Sequence, residues 1–134
     1  MSESTVTLEI GIKGNYEITV DETNTADAFG SGNLPVFATP AMIAMMEYTA
    51  AKSVAPALAE GQSTVGTLVN VKHLAATPKG MRVSFETEIT EIDRRRIVFS
   101  VRAFDERGLI GEGVHERFIV DSEKFLSKTY GDRV

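Results

Sequence analysis

Residues 37–56, FATPAMIAMMEYTAAKSVAP, are the stretch that decides the fold. Thr39 is placed to cap a helix, Pro40 suits the first helical position, and Pro56 predicts that the helix ends after about Val54. Residues 41–46 are apolar around the whole circumference of this helix, which is typical of a buried helix. The sequence therefore predicts a central helix over about 39–54.

Four segments with period-two alternation follow this helix, as antiparallel strands do. They run from about Thr64 to Lys72, from Met81 to Ile89, from Ile97 to Ala103, and from the turn at residues 105–108 to about Val120. Residues 122–128 favour a short final helix. One buried helix followed by a four-strand meander indicates an α+β protein in which a curved antiparallel sheet wraps a central helix, the hotdog fold.

Weaker signals precede the helix. Val6 to Ile12 alternates weakly, Tyr16 to Val20 resembles a second short strand, and residues 21–35 are rich in turn-forming residues and predict an exposed, mobile loop. No repeat or linker divides the chain, so we expect a single domain over residues 1–134. A sheet around one helix leaves edges and apolar surface exposed, and a homodimer would cover them.

Composition narrows the possible partners. The chain has no cysteine, which excludes disulfides and thiolate sites, and its net charge of -5 gives nucleic acid no electrostatic footprint. The basic run Arg94-Arg95-Arg96 follows two acidic residues, so it indicates a solvated hairpin turn or, alternatively, an anion contact. Without a signal peptide or an apolar span of about 20 residues, we expect a cytoplasmic protein with no membrane partner.

Glu47 is the position that carries most information about function. It is the first ionisable residue of the helix and the only one before Lys52, and a carboxylate against an apolar face is costly unless it is paired, hydrogen-bonded or protonated. Such a group is a candidate base or nucleophile. The alternative is that Glu47 reaches solvent or a subunit boundary.

Two further residues are candidates for the same site. His73 ends the first strand after the helix, where side chains reach into clefts, although an isolated histidine is also an ordinary surface or core residue. Thr39 has a sufficient structural role as a helix cap, or its hydroxyl could stabilise negative charge at the helix start. Thr39 and Glu47 lie about 12 Å apart along the helix, so a cleft between two subunits would ease their joint action.

Gly66, His115 and Arg117 are candidates for contact with a ligand. Gly66 weakens its strand unless a backbone or ligand approaches closely there, or unless it marks a bulge. His115 and Arg117 share one face of the last strand, where they either pair with acidic neighbours on a solvated face or line a groove and hold an anion. The sequence has no nucleophile elbow, phosphate-binding loop or metal-ligand spacing, so we expect no metal and no cofactor.

Together these motifs resemble the fluoroacetyl-CoA thioesterase-like hotdog proteins over roughly residues 34–120. The matching motifs are Phe37-Ala38-Thr39-Pro40, Glu47, Val65-Gly66-Thr67 through His73, Thr77-Pro78-Lys79-Gly80, and Gly113-Val114-His115-Glu116-Arg117-Phe118. The resemblance implies an acyl-CoA thioesterase in which Thr39, Glu47 and His73 are catalytic. It also implies that Gly66 lies against the acyl group or the bound carbonyl and that Arg117 contacts the CoA portion.

The loop before Thr39 departs from this family. The specialised fluoroacetyl-CoA enzyme has an aromatic lid there, whereas this chain has Gly30-Ser31-Gly32-Asn33, which predicts a broader or different short acyl-CoA substrate.

Two other functions could use the same cleft. The first is a non-catalytic acyl-CoA-binding module, and the second is an enoyl-CoA hydratase, which is disfavoured because no aspartate lies near His73.

Overall fold

The computed structural model describes residues 6–131. In chain order the elements are β1 Lys13–Thr19, α1 Ala26–Phe29, α2 Thr39–Val54, a 3-10 turn at Ala55–Ala57, β2 Gln62–His73, β3 Arg82–Asp93, β4 Arg96–Asp105, β5 Gly108–Asp121 and α3 Ser122–Tyr130. The end of α2 at Val54 and the presence of a short final helix agree with the sequence predictions. None of the helices in this described part is long and apolar enough to cross a membrane.

The helix α2 is the centre of the core. Its buried side chains pack against the inner faces of the sheet, mainly on β1, β3 and β4. The alternation predicted for the third strand is confirmed, since Ile97, Phe99, Val101 and Ala103 are all buried. Each large apolar side chain buried in this way contributes about 1.5–3 kcal/mol, which holds the sheet against one face of α2. The predicted burial around the whole helix is wrong for residues 6–131, because Ala44 is exposed and Ile43 and Met45 are only partly buried.

All five strands form one antiparallel sheet in the order β1-β3-β4-β5-β2. The predicted four-strand meander is wrong for β2, because β2 pairs with β5 at the far edge and not with β3. The segment between β2 and β3 is tied instead to the chain before α2. Phe37 donates its backbone N–H to the Thr77 carbonyl over 2.9 Å, and Val36 bridges to Pro78.

The first strand also differs from expectation. The predicted strand at Val6 to Ile12 does not form, and Val6 and Ile10 stay exposed because their weak alternation buries no continuous face. One strand, β1, covers most of the second predicted segment. The predicted loop at 21–35 contains the four-residue helix α1, and residues 30–35 are all exposed.

The run of three arginines lies at the β3–β4 turn, as the solvated-turn interpretation predicts. Arg94 adopts a left-handed φ of 59° at the tip. Arg94 pairs with Asp93, Arg95 with Asp121, and Arg96 with Glu91 and Glu116. These arginines therefore already have acidic partners within the fold.

The strand β2 is one edge of the sheet, and its unpaired side is available to another strand. It is 12 residues long, and Leu68 and Val69 on it are 43% and 36% exposed. Ala44 on α2 is also exposed. A long edge strand with exposed apolar side chains is a template for pairing with a second chain.

Candidate active site

Thr39 and His73 form a direct pair at the start of α2. Thr39 is the first residue of the helix and is exposed, while Ala38 is the residue at the N-cap position. The side chain of Thr39 makes no capping bond, so the predicted cap is wrong. Its Oγ1 lies instead 2.7 Å from Nδ1 of His73, at the end of β2. Because the end of β2 lies close to the start of α2, the Thr39 hydroxyl contacts the His73 imidazole and not the helix backbone.

The His73 ring is half-buried, and burial lowers the pKa of His73. The neutral imidazole is therefore favoured near neutral pH. Its Nε2 is a buried atom without a hydrogen-bond partner in residues 6–131. The ring therefore contacts Thr39 through Nδ1, while Nε2 is enclosed by the fold.

An open groove of about 310 Å³ lies beside this pair. Its walls come from α1, the segment before α2, and the chain after β2, with mostly small or apolar side chains: Ala26, Ser31, Val36, Phe37, Leu74, Ala75 and Ala76. Phe37 also approaches His73 edge-on, with ring centroids 6.3 Å apart. The groove has the size and polarity to receive a small acyl group.

Glu47 lies two turns further along α2, and its carboxylate faces Gly66 on β2. A Cβ atom added at Gly66 would lie 2.9 Å from Glu47 Oε2, 3.3 Å from His115 Cε1 and 3.4 Å from Arg117 Nη1. The β2–β5 register also shifts between Gly66 and Leu68, which marks a bulge. Both interpretations of Gly66, close approach and bulge, therefore hold.

His115 and Arg117 are buried beside Glu47, so the solvated-face interpretation of these residues is wrong. They are 1% and 8% exposed. Arg117 donates from Nε to Thr64 Oγ1 over 2.8 Å and from Nη2 to the Thr64 carbonyl over 3.0 Å. Burial lowers the pKa of Arg117, and the Glu47 carboxylate opposes that shift. A guanidinium cation is thus held next to the carboxylate.

The structure brings the predicted residues together in two groups. The first is the Thr39–His73 pair, and the second, which we call the Glu47 cluster, contains Glu47, Thr64, Gly66, His115 and Arg117. Within residues 6–131, no direct hydrogen bond or ion pair joins the two groups, and the Glu47 side chain forms neither. The sequence reasoning missed Thr64, although its spacing of two from Gly66 places it on the same strand face.

This arrangement offers acid–base chemistry. The part of the chain that the structure describes contains no group of three or more His, Asp or Glu side chains able to hold a metal ion. The carboxylate of Glu47 can act as a base or nucleophile, the nearby guanidinium can stabilise negative charge, and His73 can move a proton. These are the groups required for acyl transfer to water.

Comparison with solved structures identifies the class of protein to which this fold belongs. A thioesterase superfamily member from Thermus thermophilus is 31% identical, covers 90% of this chain and 90% of its own, and superposes with a TM-score of 0.84. The fold is thus that of the hotdog thioesterases. A variant of the fluoroacetyl-CoA-specific thioesterase FlK, solved in complex with fluoroacetate and CoA, is 31% identical with a TM-score of 0.83, over 88% of this chain and 99% of that one.

Sequence comparison narrows the class to a family. The model of the fluoroacetyl-CoA-specific thioesterase family matches residues 20–123. The fluoroacetyl-CoA thioesterase of Streptantibioticus cattleyicolor is 40% identical over 93 residues, which are 69% of this chain and 67% of that protein. The chain belongs to the fluoroacetyl-CoA-specific thioesterase family and is a thioester hydrolase of the hotdog fold.

Proposed function

We propose that the protein hydrolyses a short acyl-CoA thioester to a carboxylic acid and free CoA, with Thr39, Glu47 and His73 as its catalytic group. One observation carries this proposal. Glu47 Oε2 and Arg117 Nη1 border the same small space above Gly66, where a carboxylate that is not neutralised by a direct ion pair can meet a reacting carbonyl. Gly66 and Arg117 then contact the substrate.

Glu47 acts in one of two ways. As a base it takes a proton from water while the water oxygen attacks the thioester carbonyl; as a nucleophile its own oxygen attacks and forms a mixed anhydride that water then cleaves. In both cases the C–S bond breaks, and His73 supports proton transfer to the departing CoA thiolate. A single turnover in oxygen-18 water labels the Glu47 carboxylate only if an anhydride forms and water then attacks its Glu47 carbonyl, so label in Glu47 would exclude simple base catalysis.

A homodimer would join the two groups. If two copies pair antiparallel through the β2 edges, with the two-fold axis near Val69 and Asn70, Gly66 of each copy lies opposite His73 of the other. The Thr39–His73 pair of one subunit then faces the Glu47 cluster of its neighbour. The long exposed edge of β2 supports this pairing.

Light scattering should give a mass about twice the 14.6 kDa of one chain. A monomeric active species would contradict it.

The acyl group that the enzyme accepts follows from the groove beside His73. Residues 30–33, Gly-Ser-Gly-Asn, are exposed and carry no aromatic ring, and Ala26, Ala75 and Ala76 leave the groove open. We infer a range of short acyl groups and not strict selection of fluoroacetyl-CoA. Strong preference for fluoroacetyl-CoA over acetyl-CoA would contradict this inference. A cytoplasmic location stays a prediction.

The deciding experiment measures free-thiol release from a panel of acyl-CoAs by wild type and Glu47→Ala, with calorimetric binding of CoA and acyl-CoA alongside. Release by wild type that Glu47→Ala loses, with binding retained, supports hydrolysis and ranks the substrates. Binding without release across the panel would favour the acyl-CoA-binding module. Conversion of crotonyl-CoA to its hydroxy product would favour a hydratase.

A further inference from the structure

His115 is a buried polar side chain to which the proposed reaction assigns no role. Its ring is 1% exposed and stacks on Phe99, with ring centroids 6.0 Å apart and planes at 26°. Both ring nitrogens have partners, since Nδ1 lies 2.8 Å from the Leu68 carbonyl oxygen and Nε2 lies 3.2 Å from Arg117 Nη1. The imidazole therefore bridges the β2 bulge and the guanidinium.

The two partners define the protonation state of this ring. The Leu68 carbonyl can only accept a hydrogen bond, so Nδ1 must carry the proton, and Arg117 can only donate, so Nε2 must be bare. Both bonds exist together only in the neutral imidazole with its proton on Nδ1. Burial lowers the pKa of His115, and the Arg117 charge lowers it further, which favours this neutral form.

The bond from Arg117 to His115 completes the support of the guanidinium. Thr64 accepts hydrogen bonds from Nε and Nη2, and His115 accepts one from Nη1. Nη1 is also the nitrogen closest to the space above Gly66 that Glu47 Oε2 borders. Within residues 6–131, His115 Nε2 is the hydrogen-bond acceptor that fixes Nη1, and its loss would leave Nη1 free to turn.

We propose that His115 is a positioning residue that holds Arg117 Nη1 against the space shared by Glu47 and Gly66, through a neutral imidazole that accepts from Arg117 and donates to Leu68. This inference rests on the proposed function, because it assigns the guanidinium to the same reacting carbonyl. His115 itself transfers no proton. Its contribution is to fix the direction of the Arg117 cation.

Two substitutions separate the two bonds of the ring. In His115→Asn the side-chain amide can reach the place of Nδ1 and keep the bond to Leu68, but it leaves Arg117 without an acceptor. In His115→Gln the amide oxygen can reach the place of Nε2 and accept from Arg117. A hydrogen bond to a charged group is strong enough that kcat should fall about tenfold or more in His115→Asn. We expect His115→Gln to keep at least about a third of wild-type kcat.

A double-variant comparison tests whether His115 acts through Arg117. If it does, His115→Asn combined with Arg117→Gln is no slower than Arg117→Gln alone, because the group that His115 orients has already been removed. Multiplying effects, or equal kcat in His115→Asn and His115→Gln, would overturn the proposal. Thermal unfolding of every variant identifies losses that come from misfolding.

Nitrogen-15 NMR of the wild-type protein provides a test that needs no turnover. The His115 signals should show a protonated Nδ1 and a bare Nε2, and the Arg117 Nη1 protons should exchange faster in His115→Asn than in His115→Gln. A proton on Nε2 would refute the inference even if the enzyme is active. If wild type releases no thiol from any acyl-CoA, the proposed function fails and the positioning role fails with it, whatever the NMR result.

Discussion

The two polar groups along α2 differ in how firmly the fold holds them. The Thr39–His73 pair rests on one side-chain contact, with an exposed threonine and a half-buried ring. The Glu47 cluster contains the buried side chains of His115 and Arg117, and Arg117 alone has three hydrogen bonds within the fold. An open pair suits groups that move a proton and release product, whereas a held cation suits stabilisation of charge that develops at a fixed place.

The largest expected effect separates the two groups by their chemistry. Glu47→Gln keeps the shape of the side chain but removes the base or nucleophile, so kcat for thiol release should fall about 10³-fold. Calorimetric affinity for CoA and the circular dichroism spectrum should stay unchanged. Activity within tenfold of wild type would show that the cluster is not the reacting centre.

The next effect tests how closely β2 must approach the carboxylate. In Gly66→Ala the new Cβ would lie 2.9 Å from Glu47 Oε2, so the carboxylate must move. A displacement of about 1 Å at a reacting group costs about 10² in rate, and we expect that loss in kcat/KM. Ser63→Ala is the matched control, because Ser63 is an exposed residue of the same strand outside the candidate site. Equal activity of the two variants would contradict close approach.

A smaller effect is expected at the open pair. Thr39→Val removes the hydroxyl that contacts His73 Nδ1 and should lower kcat about tenfold, while Thr39→Ser should restore most of it. Steady-state kinetics of the three proteins gives this comparison. If valine is as active as serine, the contact with His73 has no part in turnover.

The smallest effect concerns stability and pH. Burial lowers the pKa of His115 and His73 below the ordinary value of 6.5, so on acidification the unfolded chain takes up these protons first. The free energy of unfolding should therefore fall as the pH drops from about 6.5 towards the folded pKa values, by at most about 1.4 kcal/mol per pH unit for each group. Urea titrations at several pH values between 7 and 5 give the free energy of unfolding at each pH. This free energy should change less with pH in His115→Gln than in wild type. An equal pH dependence would indicate that His115 titrates normally.

Patterns within short stretches of sequence were enough to predict individual helices and strands. The apolar run at 41–46 and the prolines at 40 and 56 defined α2, and period-two alternation located β3 and β4. The pairing of β2 with β5 was not predictable in this way, because strand order depends on contacts between distant segments, such as the bond from Phe37 to Thr77.

The sequence singled out the residues of the candidate site but not the contacts between them. The polarity of α2 singled out Glu47, and the family resemblance added Thr39 and His73. The capping role predicted for Thr39 was wrong because the approach of His73 is a tertiary contact. The burial of His115 and Arg117 was left open for a similar reason, since alternation gives two faces of β5 but does not say which one α2 covers.

The central claim is that the pair of one subunit and the cluster of the other serve one thioester. A mixed dimer with one Glu47→Gln subunit and one His73→Asn subunit, isolated through two different tags, tests it directly by thiol release. Each parent homodimer should be impaired, and the mixed dimer should regain about half of wild-type kcat, because one of its two sites combines an intact His73 with an intact Glu47. A mixed dimer as slow as its parents would show that both groups act within one subunit and would contradict the account.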